Sequence, residues 1–161
     1  MTRAKGVRQA AWLLIAVSGA LLLGALAFQF IGGLKPCEMC YWQRYAHLAV
    51  LVVSALALIS GNRALGWLAA LAMAVAAGLG LFHAGVELKW WQGVTACTAP
   101  VSAGMSTADM LDTLMNAPLV RCDEIPWSLL GISMAGWNAL ISAGAALSAA
   151  FALVFTRRAP R

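Results

Sequence analysis

Two cysteines separated by two residues, Cys37 and Cys40, lie in a short polar break between two long apolar runs. Thiols at this spacing can close a small disulfide ring, and strain together with a lowered thiol pKa makes such pairs redox-active. Cys40 is predicted at the start of the following helix, where the helix dipole favours an anion. Arg44, one helical turn later, can approach the same sulfur. The pattern predicts a dithiol with Cys40 as the thiolate and with Cys37, behind Pro36, accessible to another thiol.

The other two cysteines, Cys97 and Cys122, both lie in the one other long polar segment. They can staple that segment, or they can form a second, exchangeable disulfide that an outside protein reaches. The Cys37–Cys40 pair could likewise be a purely structural disulfide. A zinc site built from all four cysteines is disfavoured, because the second pair is widely spaced and has no nearby histidine. No metal is therefore expected, and a disulfide relay is the favoured interpretation.

Three polar residues could bind a quinone beside this dithiol. An arginine within membrane depth is costly and functional by default, and the Arg44 guanidinium suits a quinone oxygen that gains negative charge on reduction. Gln43 adds further donors, and His83 could donate to the second quinone oxygen or pass protons. Alternatively, Arg44 only snorkels to the lipid headgroups and His83 is an ordinary interfacial hydrogen bonder.

The composition assigns these residues to a membrane protein. Of 161 residues, 62% are hydrophobic and 11% are charged, whereas soluble chains have about 25% charged residues. The charge-free run at residues 10–31 reaches about 33 Å as a helix, enough to cross the hydrocarbon core. We predict one all-α integral-membrane domain, 1–161, folded as a four-transmembrane-helix bundle. The helices are expected near residues 10–31, 41–60, 64–86 and 129–155, and the loops on the cysteine side near 32–40 and 87–128.

The first apolar run could instead be a signal peptide, since Ala25-Leu26-Ala27 resembles a cleavage site. The run is longer than the apolar region of a signal peptide, and its removal would leave three helices. An uncleaved anchor is therefore expected.

The charges predict the orientation. Seven basic residues flank the termini and the turn at Asn62-Arg63, against four on the cysteine side, which also has all six carboxylates. The positive-inside rule then puts both termini in the cytoplasm and all cysteines outside, in a compartment where disulfides persist. The net charge of +5 is mostly an orientation signal, and no nucleic-acid binding is expected.

The long loop, 87–128, is predicted to contain a short amphipathic helix. Ser106 to Asp109 is typical of a helix start with a capping acid. Met110, Leu111, Leu114 and Met115 then share one face, so residues 107–116 are expected either to lie on the membrane or to pack on the loop itself.

These motifs resemble a known family. The resemblance rests on the Cys37/Cys40 motif with Gln43 and Arg44, on the Cys97…Cys122 pair, and on the segment from Trp127 to Asn138, WSLLGISMAGWN. Together they are similar to the DsbB family of bacterial inner-membrane, quinone-dependent disulfide oxidases, and the similarity covers essentially the whole chain.

The resemblance implies an enzyme and a sequence of exchanges. It implies resting disulfides Cys37–Cys40 and Cys97–Cys122, and a partner, the periplasmic oxidase DsbA, that attacks at Cys97. The freed Cys122 would attack Cys37, and Cys40 would pass electrons to ubiquinone or menaquinone beside Arg44. His83 falls near the position of a quinone-proximal histidine in the family. The alternatives are a relative dedicated to one specific partner and a disulfide-stapled membrane assembly factor.

Overall fold

The computed structural model describes residues 3–95, 106–108, 111, 115 and 120–155. Within this part of the chain, four helices are long and apolar enough to cross a membrane. The predicted all-α, four-helix membrane fold is thereby confirmed. The helices are α1 (Arg3–Phe30), α2 (Glu38–Ser60), α3 (Arg63–Glu87) and α4 (Met134–Phe155).

Helix α2 begins earlier than the apolar run predicts, because Cys37 caps it. The Cys37 backbone is extended, and its sulfur accepts a hydrogen bond from the Cys40 amide at 3.2 Å. The helix therefore starts at Glu38 rather than Tyr41, and Cys40 lies in its first turn. The first loop is correspondingly shorter than 32–40.

A two-residue connection turns α2 back into α3. Gly61 ends α2 in the left-handed region at φ 64°, which glycine adopts without steric cost. Asn62 then caps α3, since its side-chain oxygen accepts from the Ala64 amide at 2.8 Å. The two helices are thus antiparallel neighbours.

Helix α4 begins at Met134, later than the predicted residue 129, because a small hairpin precedes it. Strand β1 (Ser128–Leu129) pairs antiparallel with β2 (Ile132–Ser133). Leu130 and Gly131 form the turn with φ values of 53° and 77°, which suits a two-residue hairpin. The Ser133 hydroxyl then accepts from the Gly136 amide at 3.1 Å and caps α4.

Small side chains let the helices pack closely in the centre of the bundle. Each helix packs on its two neighbours in the order α1–α2–α3–α4–α1. Fully buried alanines at 57, 69, 76 and 149 lie among a few larger side chains such as Met73 and Leu153, as expected where helices associate in lipid. Large apolar side chains such as Leu23, Val52 and Leu147 point outward.

Most of the amphipathic helix predicted for 107–116 lies outside the described residues, as does Cys97. Thr107, Ala108, Leu111 and Met115 are described there, and their side chains are exposed.

Candidate functional site

The Cys37 and Cys40 sulfurs lie 2.7 Å apart at the start of α2. Both residues are free thiols in this structure. Cys37 is only 6% exposed, so the other thiol to which it was expected to be accessible has to come from this protein and not from an outside partner. A hydrogen bond with Cys40, together with burial, raises the pKa of the Cys37 thiol. In the reduced pair, Cys37 therefore keeps its proton.

Cys122 covers the dithiol, which explains the burial of Cys37. Cys122 is fully buried and packs in one apolar cluster with Cys37, Met39 and Val86. Its sulfur accepts a hydrogen bond from the Thr95 hydroxyl at 3.5 Å. The long loop thus brings its second cysteine to the first cysteine pair, as a relay requires.

A charged contact ties the Cys122 segment to the end of α3. Lys89 donates to the Asp123 backbone oxygen at 2.6 Å and also pairs with the Asp123 carboxylate. Arg121 donates to the same carboxylate at 2.9 Å. Hydrogen bonds from Arg121 and Lys89 hold the pKa of Asp123 well below its usual range. Asp123 is therefore ionised at neutral pH and keeps this end of the loop against the bundle.

His83 and Gln43 lie behind the dithiol. The His83 Nε2 is 3.7 Å from the Cys37 sulfur and 3.2 Å from the Cys122 carbonyl oxygen. On the other side of the ring, Nδ1 is 2.8 Å from the Gln43 side-chain nitrogen. Both residues are buried. The structure thus brings His83 to Cys37, and Gln43 reaches the dithiol only through His83.

Arg44 reaches across to α1 instead of making its hydrogen bonds at the dithiol. Its guanidinium donates to the Gln29 side-chain oxygen at 2.6 Å and to the Ala25 carbonyl at 3.3 Å. The guanidinium carbon also lies 5.4 Å from the centre of the Tyr41 ring, a cation–π contact. Arg44 is therefore held in place between α1 and α2, and does not merely snorkel.

A cavity of about 530 Å³ connects these groups. Cys40, Arg44 and His83 line it together with apolar walls that include Phe28 and Trp127. A mainly apolar cavity with a few convergent polar groups is typical of a small-molecule site. It suits a flat ring with polar oxygens, because Arg44 offers charged donors and the walls are mainly apolar.

Sequence reasoning missed several polar residues around this site. The Glu87 carboxylate lies 3.9 Å from His83 Nε2 and accepts a hydrogen bond from Ser133. His47 bonds Asn138 at 2.8 Å, and Asn138 bonds Gln43 at 2.6 Å. The available signal was the presence of polar side chains inside apolar spans, which are functional candidates by default.

Among the described residues, Cys37, Cys40 and His83 could together hold a soft metal ion, since their ligand atoms lie within 4.8 Å of one another. Three ligands are one fewer than a closed structural zinc site uses. The same three groups equally suit thiol–disulfide exchange.

A dithiol at a helix start, a third cysteine packed against it and an adjoining cavity inside a helical bundle define a membrane protein built for thiol–disulfide chemistry. The comparisons with known proteins agree with that class. The family model described as "Disulfide bond formation protein DsbB" matches residues 7–152. The chain belongs to the DsbB family, whose name denotes disulfide bond formation.

Curated relatives named "Disulfide bond formation protein B" cover most of the chain. The protein from Marinobacter nauticus is 34% identical over 137 residues, 80% of this chain and 80% of the relative. That from Neisseria meningitidis is 34% identical over 146 residues, 82% of this chain and 86% of the relative. That from Xanthomonas campestris is 31% identical over 150 residues, 88% and 86% respectively. No solved structure matches the chain significantly.

Proposed function

We propose that this protein reoxidises a DsbA-like periplasmic thiol oxidase and delivers the electrons to membrane quinone. In the net reaction, the partner's dithiol becomes a disulfide, and two electrons and two protons pass to the quinone. One observation above all supports the proposal: buried Cys122 packs in one cluster with Cys37, and the Cys37/Cys40 thiols line a cavity that Arg44 also lines.

The burial of Cys37 supports a relay in which the partner first meets the long loop. The partner's thiolate attacks the Cys97–Cys122 disulfide at Cys97, forms a mixed disulfide and releases Cys122 as a thiolate. Cys122 attacks Cys37, which breaks the Cys37–Cys40 bond and releases Cys40 as a thiolate. The packing of Cys122 beside Cys37 supports this step.

Two further exchanges return the long loop to its starting state. The partner's second thiol attacks the mixed disulfide, and the oxidised partner leaves while Cys97 is released as a thiolate. Cys97 then attacks Cys122 in the Cys37–Cys122 bridge, which re-forms the Cys97–Cys122 disulfide. Cys37 and Cys40 remain as a dithiol, which must lose two electrons and two protons to close again.

The cavity residues fit a quinone as the acceptor. When bound, a quinone supplies two-electron, two-proton acceptor chemistry. Arg44, anchored on α1, offers its remaining guanidinium donors to an oxygen that gains negative charge. Cys40 lines the same cavity and is the sulfur we assign to electron delivery, with His83 and Gln43 behind it. Ubiquinone and menaquinone both fit this description.

The orientation is part of the proposal. Cys37 and Cys122 lie at one end of the bundle, and the turn at Asn62-Arg63 lies at the other. The excess of basic residues at the latter end supports cytoplasmic termini and periplasmic cysteines in the bacterial inner membrane. Alkaline phosphatase fused to the carboxyl terminus should stay inactive, because that enzyme folds only after export; an active fusion would reverse the assigned topology.

Quinol formation tests the activity. The purified protein in lipid nanodiscs with ubiquinone should oxidise reduced DsbA and consume one quinone per partner disulfide formed. Cys97→Ala should lose this turnover but retain oxidation of the Cys37/Cys40 pair by quinone, since that pair does not depend on the long-loop disulfide. A Cys97→Ala protein that oxidises DsbA at the wild-type rate would show that the two-disulfide relay is wrong. A protein whose disulfides never transfer to any thiol would be a stapled structural protein instead.

A further inference from the structure

A continuous chain of hydrogen-bonded side chains crosses the bundle from α1 to the dithiol. It runs from Ser18 to His47 at 3.1 Å, on to Asn138 at 2.8 Å, then to Gln43 at 2.6 Å and to His83 at 2.8 Å. The two histidines, Ser18 and Gln43 are all buried, and Asn138 is half-buried. Polar groups at this depth are costly unless they are satisfied, and here each one has a partner.

The Met39 carbonyl fixes the direction of this chain. The Gln43 side-chain nitrogen lies 3.3 Å from the Met39 carbonyl oxygen as well as 2.8 Å from His83 Nδ1. A carbonyl oxygen only accepts, so the amide nitrogen of Gln43 belongs at this position. The reversed amide would set two acceptor oxygens against each other. Gln43 therefore donates to His83 Nδ1, and the imidazole proton is on Nε2.

The rest of the chain follows the same direction. The Gln43 side-chain oxygen accepts from the Asn138 amide nitrogen. Asn138 is thereby left with its oxygen facing His47 Nε2, which must donate, while the Ser142 hydroxyl donates to the same oxygen at 3.1 Å. His47 Nδ1 then accepts from Ser18. Both histidines are neutral Nε2–H tautomers. In each of these hydrogen bonds, the donor is the residue farther along the series from the dithiol.

At the end of the chain, His83 joins the two cysteine segments. Its Nε2–H group faces both the Cys37 sulfur and the Cys122 carbonyl oxygen, at 3.7 Å and 3.2 Å. The chain is not suited to carrying protons, because Gln43 and Asn138 would each have to pass through an unfavourable imidic-acid form. These hydrogen bonds can instead hold the His83 ring in one tautomer.

We propose that His47 and Asn138 are positioning residues, which act through Gln43 to keep His83 as an Nε2–H donor that holds Cys122 beside Cys37. The assignment of the His83 tautomer rests on the hydrogen-bond geometry alone and is independent of the proposed function. Its effect on the exchange between Cys122 and Cys37 rests on the proposed function.

The polypeptide contains two histidines in total. Nitrogen NMR of the histidine-labelled, full-length protein in nanodiscs therefore tests the tautomer directly. A His83→Leu variant removes one of the two sets of ring signals and thereby assigns that set in the wild-type protein to His83. In the wild-type protein, His83 should have a protonated Nε2 and an unprotonated Nδ1. A wild-type His83 with its proton on Nδ1 alone would overturn the proposal without any variant.

Asn138→Asp sets residue 138 against the Met39 carbonyl. A carboxylate offers only acceptors, so Gln43 can bond residue 138 only by turning its nitrogen towards it and its oxygen towards Met39 and His83 Nδ1. If Asn138 positions Gln43, the amide turns in the variant and His83 Nδ1 has to carry a proton. The nitrogen signal of His83 Nδ1 should shift to the protonated range. Ser142→Ala removes a second donor to Asn138 without reversing the chain, so the His83 signals should stay unchanged. An Asn138→Asp protein with wild-type His83 signals would show that Met39 holds Gln43 without Asn138, and would refute the positioning role of Asn138.

Kinetics test the positioning role separately. Losing one neutral hydrogen bond at the exchange step should slow partner-driven turnover by about 2- to 13-fold in Asn138→Asp and His47→Leu. Quinone reduction after direct chemical reduction of the Cys37/Cys40 pair is measured in the same variants, because His47 and Asn138 also line the cavity, and partner-driven turnover should fall by more than this rate does. Ser54→Ala, which removes another buried hydroxyl from α2 away from the chain, is the matched control. Equal turnover in Asn138→Asp and wild type would refute the positioning role. If the wild-type protein has the Nε2–H tautomer but does not oxidise the partner, only the proposed function is refuted.

Discussion

Replacement of Arg44 by alanine should weaken the use of quinone while leaving the protein folded and its disulfides formed. The guanidinium has five N–H donors, and the structure shows two hydrogen bonds to α1, at Gln29 and Ala25. The remaining donors can face the cavity that Arg44 shares with Cys40. A hydrogen bond from a charged donor contributes about 1.5–3 kcal/mol. We therefore predict a loss of about 10- to 150-fold in apparent quinone affinity.

The assay is a quinone titration in nanodiscs at a fixed excess of reduced partner. Arg44→Lys should recover only part of the loss, because a point charge replaces a planar group with several donors. Thermal unfolding and the thiol content of each variant check that the bundle and its disulfides are intact.

The matched control is Gln29→Leu, which removes the shorter α1 contact of Arg44 but keeps the guanidinium. Its quinone affinity should fall by less than that of Arg44→Ala. If Gln29→Leu loses as much as Arg44→Ala, then Arg44 acts through the packing of α1 on α2. If Arg44→Ala has the wild-type Michaelis constant and rate for quinone, the assigned quinone site is wrong.

Three further predictions concern the dithiol, the bundle and the long loop. Cys40→Ser should abolish quinone reduction, because Cys37 then has no partner thiol with which to close the disulfide. Measurable quinol formation by this variant would show that another residue delivers electrons to the quinone. Gly80→Ala should destabilise the bundle by about 1–3 kcal/mol, because the added methyl group would lie 2.9 Å from a backbone nitrogen of α4. The control is Gly78→Ala, whose added methyl group meets nothing within 4 Å. This control should leave the thermal midpoint in detergent nearly unchanged. Asp123→Asn should cost less than about 1 kcal/mol at pH 7. Because Arg121 and Lys89 lower the pKa of Asp123 in the folded state, this stabilisation is fully present above the unfolded pKa of about 4 and is lost as the pH falls through the lower folded pKa. The difference between the thermal midpoints of the two proteins should therefore shrink gradually as the pH is lowered from about 5 to about 2, and a difference that stays constant or grows over that range would contradict the reasoning.

Much of the architecture could be predicted from the sequence alone, because the hydropathy of a segment depends only on its own residues. A run without charges must form a helix to satisfy its own backbone, whatever it packs against. The dithiol was readable for the same reason, since the spacing of Cys37 and Cys40 and the position of Arg44 one turn later are properties of one helix start. Helix boundaries were less predictable. The Cys37 cap moves the start of α2 to Glu38, and the hairpin at Ser128–Ser133 delays α4, and both depend on local hydrogen bonds that hydropathy does not report.

The tertiary structure decided which partners these residues have. Arg44 lines the same cavity as Cys40, and the packing of α1 on α2 gives it Gln29 as a hydrogen-bond partner that the sequence does not identify. Cys37 was expected to be accessible to another thiol, and the tertiary structure determines that the thiol packed in its cluster is Cys122. The hydrogen bonds that set the tautomer of His83, which lies on α3, come from the three other helices, α1, α2 and α4. Periodicity along one helix defines which face a side chain occupies, but only the packing of the helices determines which polar group lies opposite it.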